Sequence, residues 1–142
     1  MDTRPEHFLL IEDDSPTILL ETRIIQRTVP DARVTVLERI DQALDFVATE
    51  YAEFAAGKTS QNIPDAVLLD LNMPGLSGWD FLDRYSQYPQ GFRMRMKLAI
   101  LSASPHPDDK VRARKYTDVL SYIVKPLSEH SLRSFLMDQY RS

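Results

Sequence analysis

Phe8-Leu9-Leu10-Ile11-Glu12-Asp13-Asp14-Ser15-Pro16 passes from an unbroken apolar run, through three consecutive acids, to a helix start. Four apolar residues without a polar interruption suit a strand buried on both faces, as in a parallel sheet. Ser15 before Pro16 reads as an N-cap with proline at the first helical position. The same passage from apolar run to polar side chain recurs three times: Ala66-Val67-Leu68-Leu69 before Asp70, Leu98-Ala99-Ile100-Leu101 before Ser102, and Tyr122-Ile123-Val124 before Lys125. Val34-Thr35-Val36-Leu37, broken by its threonine, is a fifth strand candidate.

Helical periods fill the gaps. Ile18, Ile25 and Val29 share one face of a first helix. Ile40, Ala43, Leu44, Val47, Tyr51 and Phe54 keep the period through a second, and Trp79, Leu82 and Tyr85 or Ser86 suggest a third. A short polar helix is expected over residues 108–116, and Leu132, Phe135, Leu136 and Tyr140 mark the last. Pro30 closes the first helix, Gly57 stops the second and Ser128 caps the last. Five strand–helix repeats predict an α/β fold, a parallel sheet wound with helices on both faces. Residues 56–64 read as a polar surface insertion.

Composition sets the bounds. At 142 residues and 43% hydrophobic, residues 1–142 are expected to form one domain with one core and no effector domain. The net charge of −4 leaves no footprint for nucleic acid. Without cysteine there is no disulfide, thiol catalysis, iron–sulfur cluster or zinc ribbon. No apolar run is long enough for a signal peptide or a membrane span, so a soluble cytoplasmic protein is expected. His7, His106 and His130 have no ligand spacing, and the basic residues of the stretches 93–97 and 110–115 read as a solvated face.

If the strands lie side by side and parallel, Glu12, Asp13, Asp70, Ser102 and Lys125 converge at their carboxyl ends, where open parallel sheets bind ligands. Clustered carboxylates repel unless a cation is present, and oxygen donors without His or Cys favour a hard ion such as Mg²⁺. A lysine and a hydroxyl beside them suit the oxygens of a phosphoryl group. A carboxylate can accept a phosphoryl group, and Asp70, the lone acid on its strand end, is the natural candidate.

Glu12-Asp13, Asp70-Leu71-Asn72-Met73-Pro74-Gly75 with Gly78, Ser102-Ala103 and Lys125-Pro126 together resemble the receiver domain of bacterial two-component signalling, the CheY-like family. The likeness covers nearly the whole chain. It implies a five-stranded sheet of order 2-1-3-4-5, with Asp70 as phosphoacceptor. It also implies Asp13 as direct metal ligand, Glu12 acting through water, and the Asn72 backbone carbonyl as a further ligand to Mg²⁺ or Mn²⁺. By the same resemblance Ser102 and the Ala103 N–H would meet a phosphate oxygen and Lys125 would pair with the phosphate. The Lys125–Pro126 bond would be cis, and Tyr122 would be the switch aromatic. Asp14 receives no ligand role. The family's partners would be a sensor histidine kinase or a histidine phosphotransfer protein, with an unidentified downstream protein target. Neither nucleic acid nor membrane is expected as a partner, and the chain would be a monomer or a homodimer. The longer segment 51–64 departs from the short family pattern.

Other functions compete. A haloacid-dehalogenase-like phosphatase needs a second Asp two residues after the first, where this chain has Asn72. A pseudo-receiver acting without phosphorylation would not need the full set of polar residues. Nucleotide binding lacks a phosphate-binding motif, with only four glycines present. The expectation is a phosphoacceptor module and not a dedicated enzyme. Small polar residues at Asn72 and Ser104 imply an aspartyl phosphate of moderate lability.

Overall fold

The computed structural model describes residues 5–58, 62–103 and 106–139. Its elements are β1 (His7–Ile11), α1 (Ser15–Thr28), β2 (Arg33–Leu37), α2 (Ile40–Ala55), β3 (Ala66–Asp70), α3 (Gly78–Tyr85), α4 (Gln90–Arg93), β4 (Lys97–Ser102), α5 (Pro107–Ala113), β5 (Val119–Val124) and α6 (Glu129–Gln139). The strands form one sheet of order β2-β1-β3-β4-β5, with every pairing parallel. This is the CheY-like, flavodoxin-type topology.

Alternation along the strands sorts the core into two layers. Phe8 and Leu10 of β1 and Leu68 of β3 pack with Ile25 and Val29 of α1 and with Leu132 and Phe135 of α6. Leu9, Ile11, Val67 and Leu69 face the opposite way, onto Val47 of α2, Phe81 and Leu82 of α3, and Phe92 of α4. Helices thus cover both faces, which is why β1, β3 and most of β4 carry no polar alternation. Each such large apolar side chain, fully buried, contributes about 1.5–3 kcal/mol.

Three details differ from the sequence expectation. The N-cap of α1 is Asp14, not Ser15: its carboxylate accepts from the Thr17 N–H at 3.1 Å, and the Thr17 hydroxyl also donates to it. Ser15 is already the first residue of the helix. Second, α4 intervenes between α3 and β4, so the strand–helix alternation gains a sixth helix. Third, the stretch 56–64, expected as a polar surface insertion, contributes Ile63 to the core, beside the expected apolar face of α2. Phe92, fully buried, gathers Tyr51, Phe54 and Tyr88 with ring centroids 5.2, 5.4 and 5.6 Å away, and Ile63 is buried too. The extra length of α2 therefore roofs α4. Arg93 locks this corner: one guanidinium nitrogen donates to both oxygens of Asp118 at 2.6 and 2.8 Å, while Nε donates to the Tyr88 carbonyl at 2.7 Å. Ser128 holds the start of α6 through its hydroxyl, which accepts from the Ser131 N–H at 3.0 Å. Tyr140 lies outside the described residues.

Candidate functional site

The parallel register places the ends of β1, β3, β4 and β5 along one edge of the sheet. Glu12 follows β1 and is 1% exposed; Asp70 ends β3 at 4% and Ser102 ends β4 at 0%. Lys125 follows β5, and its backbone N–H donates to the Ser102 carbonyl at 2.7 Å. Oxygens of Glu12, Asp13 and Asp70 lie within 4.8 Å of one another. The Lys125 ammonium donates to Glu12 Oε1 at 2.5 Å and stands 3.5 Å from Asp70 Oδ2. It therefore bridges two neighbouring strand ends from a third.

Local backbone fixes these side chains. Asp70 Oδ1 accepts from the Asn72 N–H at 3.1 Å, and Glu12 Oε2 accepts from the Asp13 N–H at 3.2 Å. The loop after β3 turns at Gly75, whose φ of 81° is open to glycine at little cost. Gly78 then brings α3 against the strand end: a Cβ there would lie 2.8 Å from Leu71 Cα and 2.9 Å from the Asp70 carbonyl oxygen. Ser77 and Asp80 cap α3 reciprocally, a Ser-x-x-Asp pattern legible in the sequence itself.

Burial dominates the electrostatics. It pushes the Asp70 carboxyl up to about 7, helped by the adjacent Glu12 and opposed by the Asn72 N–H and Lys125. For Lys125, burial works to lower the pKa, but the hydrogen bond to Glu12 and the charges of Asp70, Glu12 and Glu21 outweigh it and raise it. Such a constellation can neutralise and orient a phosphoryl group beside a carboxylate nucleophile.

The remaining candidates divide. Asn72 and Ala103 are exposed at the mouth of the site, while Ser104 lies outside the described residues. The Lys125–Pro126 bond is cis. Tyr122 is half-buried on β5, with the Lys110 ammonium 5.9 Å from its ring centre. Asp14 is engaged as a helix cap. His7 is buried away from the carboxylates, with Nε2 2.7 Å from the Thr35 hydroxyl. The basic stretches are not wholly a solvated face: Arg93 is paired with Asp118, and the Arg112 guanidinium lies 4.3 Å over the Trp79 ring. Glu21, an acid that interrupts the apolar face of α1, is 1% exposed.

Topology and strand-end chemistry together define a receiver domain, and comparison with known proteins agrees. Residues 8–137 match the family model described as the response regulator receiver domain. The probable methanogenesis regulatory protein FilR2 of Methanothrix harundinacea (strain 6Ac) is 29% identical over 129 residues, 91% of this chain and 77% of that protein. The crystal structure of a two-component response regulator from Cytophaga hutchinsonii superposes with a TM-score of 0.79 at 27% identity, covering 95% of this chain and 96% of that one. The Mn(2+)-bound form of response regulator Rcp1 shares the fold at 23% identity and a TM-score of 0.66, covering 96% of this chain and 94% of that one. The chain belongs to the response regulator receiver domain family. Receiver domains are signalling modules and not dedicated enzymes, working between histidine kinases or phosphotransfer proteins and downstream targets.

Proposed function

We propose that this chain is a phosphoacceptor response regulator, with Asp70 taking a phosphoryl group from a phosphohistidine kinase or phosphotransfer protein. The observation that carries the reading is the Lys125 ammonium bridging Glu12 and Asp70 at adjacent strand ends. The Asp70 carboxylate attacks phosphorus; an O–P bond forms while the P–N bond to the donor histidine breaks, and the imidazole nitrogen keeps the electron pair. Lys125 exchanges its carboxylate partners for a phosphoryl oxygen, and the Ser102 hydroxyl donates to another. Tyr122 follows Ser102 inward, altering the face formed by α5, β5 and α6.

The donor set fits Mg²⁺, and Mn²⁺ by the same chemistry: the clustered side chains offer carboxylate oxygens only. Glu12, Asp13, Asp70 and the Asn72 carbonyl would hold the ion. When bound it supplies positive charge against the phosphoryl oxygens. The reading is tested by acetyl phosphate with and without Mg²⁺, followed by intact mass. Wild type gains one phosphoryl group only with Mg²⁺, and Asp70→Asn gains none. A folded, Mg²⁺-binding wild type that stays unmodified, and that a phosphohistidine donor also leaves unmodified, would replace this reading with that of a pseudo-receiver.

A further inference from the structure

Helix α5 has little buried surface of its own. Of its seven residues only Ala113 is buried, and Val111 is 53% exposed. Such an element sits at the low-stability end of a fold. Helix α3, beside it, is anchored: Phe81, Leu82 and Tyr85 are buried, and Gly78 seats its first turn on the Asp70 carbonyl and Leu71. Surface side chains join the two. Trp79 and Asp83 lie one turn apart on α3, and Arg112 and Tyr116 one turn apart on α5 and just after it, so each pair shares a face. The Arg112 guanidinium lies 4.3 Å over the Trp79 ring, and the Tyr116 ring stacks on the same indole with centroids 6.0 Å apart. The Tyr116 hydroxyl donates to Asp83 Oδ1 at 2.5 Å. On the other side of α5, the Lys110 ammonium stands 5.9 Å from the centre of the Tyr122 ring. The helix thus follows the strand that ends in Ser102 and hangs between an aromatic of α3 and an aromatic of β5.

We propose that Trp79, Asp83, Arg112 and Tyr116 form a clasp that holds α5 in its resting place and thereby restrains phosphorylation of Asp70. The inference rests on the reading above and deepens it, by assigning a brake on the same site. When Ser102 moves to meet a phosphoryl oxygen and Tyr122 turns inward, the end of β4 and the Lys110 contact shift together, and both pull on α5. Helix α3 does not follow, because its start is fixed against β3. The clasp spans the element that moves and the element that stays, so it loosens as the phosphorylated arrangement forms. Phosphorylation then draws on the fraction of chains in which α5 is already released, and a tighter clasp makes that fraction smaller. The contacts are at the surface and individually modest, which suits a brake that one phosphoryl group can release.

The test uses the whole chain and three variants. Arg112→Gln removes the cation over the indole, and Arg112→Lys keeps one there. Tyr116→Phe keeps the ring and loses the bond to Asp83. Trp79 is the only tryptophan of the chain, so acrylamide quenching of its fluorescence reports the clasp directly. Hydrogen exchange of the α5 amides reports the hold on that helix, and intact mass follows labelling by acetyl phosphate with Mg²⁺. In Arg112→Gln and Tyr116→Phe, α5 exchange and Asp70 labelling both quicken by about three- to tenfold. Arg112→Lys stays within about twofold of wild type on both. Labelling of wild type by itself raises the quenching of Trp79. A clasp with a purely structural role would loosen α5 when broken and leave labelling unchanged or slower. Labelling at or below the wild-type rate in both Arg112→Gln and Tyr116→Phe, or a Trp79 equally shielded before and after wild-type labelling, would overturn the proposal. Should wild type fail to label at all, the phosphoacceptor reading fails, and α5 exchange still decides whether the clasp holds that helix: unchanged exchange in the variants would remove it.

Discussion

Asp70 and Glu21 are buried acids whose folded-state pKa values stand at about 7 and about 8, against ordinary values of 3.8 and 4.5. Burial is the first cause of both. An acid raised in this way binds its proton more tightly in the native than in the unfolded state. Its contribution to stability is full below the unfolded value and is lost as pH climbs through the folded one. His7, lowered from 6.5 chiefly by burial, acts in the opposite sense: its contribution is present above 6.5 and fades below it. Among the described groups with shifted pKa values, these two acids set the slope just above pH 7. Metal-free protein in chelator should therefore lose melting temperature between pH 7 and 8.5, and added Mg²⁺ should raise it more at pH 8.5 than at pH 6. A flat or rising profile over that window would contradict these burial assignments. Acids and cations placed one after each strand run were readable because their position follows from strand length alone. Glu21 was not, because one acid within an apolar helical face looks like noise until the opposing strand is known. Choosing Asp14 over Ser15 as the cap needed backbone geometry, since adjacent residues offered equally good capping oxygens.

Among the elements, the contact between β3 and α3 has the least tolerance. The missing side chain of Gly78 lets the first turn of α3 lie against the Asp70 carbonyl and Leu71, and the Ser77–Asp80 capping box starts the helix there. Gly78→Ala must push strand end and helix apart, since contacts of 2.8–2.9 Å are too short for a Cβ. The expected cost is about 1–3 kcal/mol in chemical denaturation. Labelling of Asp70 should slow by about tenfold or more, because ångström-scale misplacement is costly in catalysis. Wild-type stability and labelling would show that the junction adjusts freely. The same scale explains what periodicity did not reveal. With four residues, α4 completes barely one turn and leaves no period to detect. Its reason is tertiary: Phe92 is roofed by Tyr51 and Phe54, and Arg93 is held by Asp118, 25 residues away. The longer helices and the doubly buried strands were readable because each repeats its burial pattern over more than one turn or pleat.

For the molecule as a whole, the strand order decides where chemistry can occur. The chain leaves β1 for one edge at β2 and returns on its other side to β3, so the polar ends of β1 and β3 lie side by side at the change of direction. Ligands in open α/β sheets bind at such points. Tyr122 on β5 carries the site outward to α5, where Lys110 faces its ring. Among the described residues no helix is long and apolar enough to cross a membrane. Whether Asp70 is the nucleophile at this edge is tested by locating the bond that forms. Protein treated with acetyl phosphate and Mg²⁺ is reduced with borohydride, which converts an acyl phosphate into an alcohol and leaves free carboxylates alone, and its peptides are then mapped by mass. One reduced residue is expected, Asp70, absent when Mg²⁺ is withheld. Reduction at Glu12, Asp13 or any other carboxyl, with Asp70 intact, would contradict it.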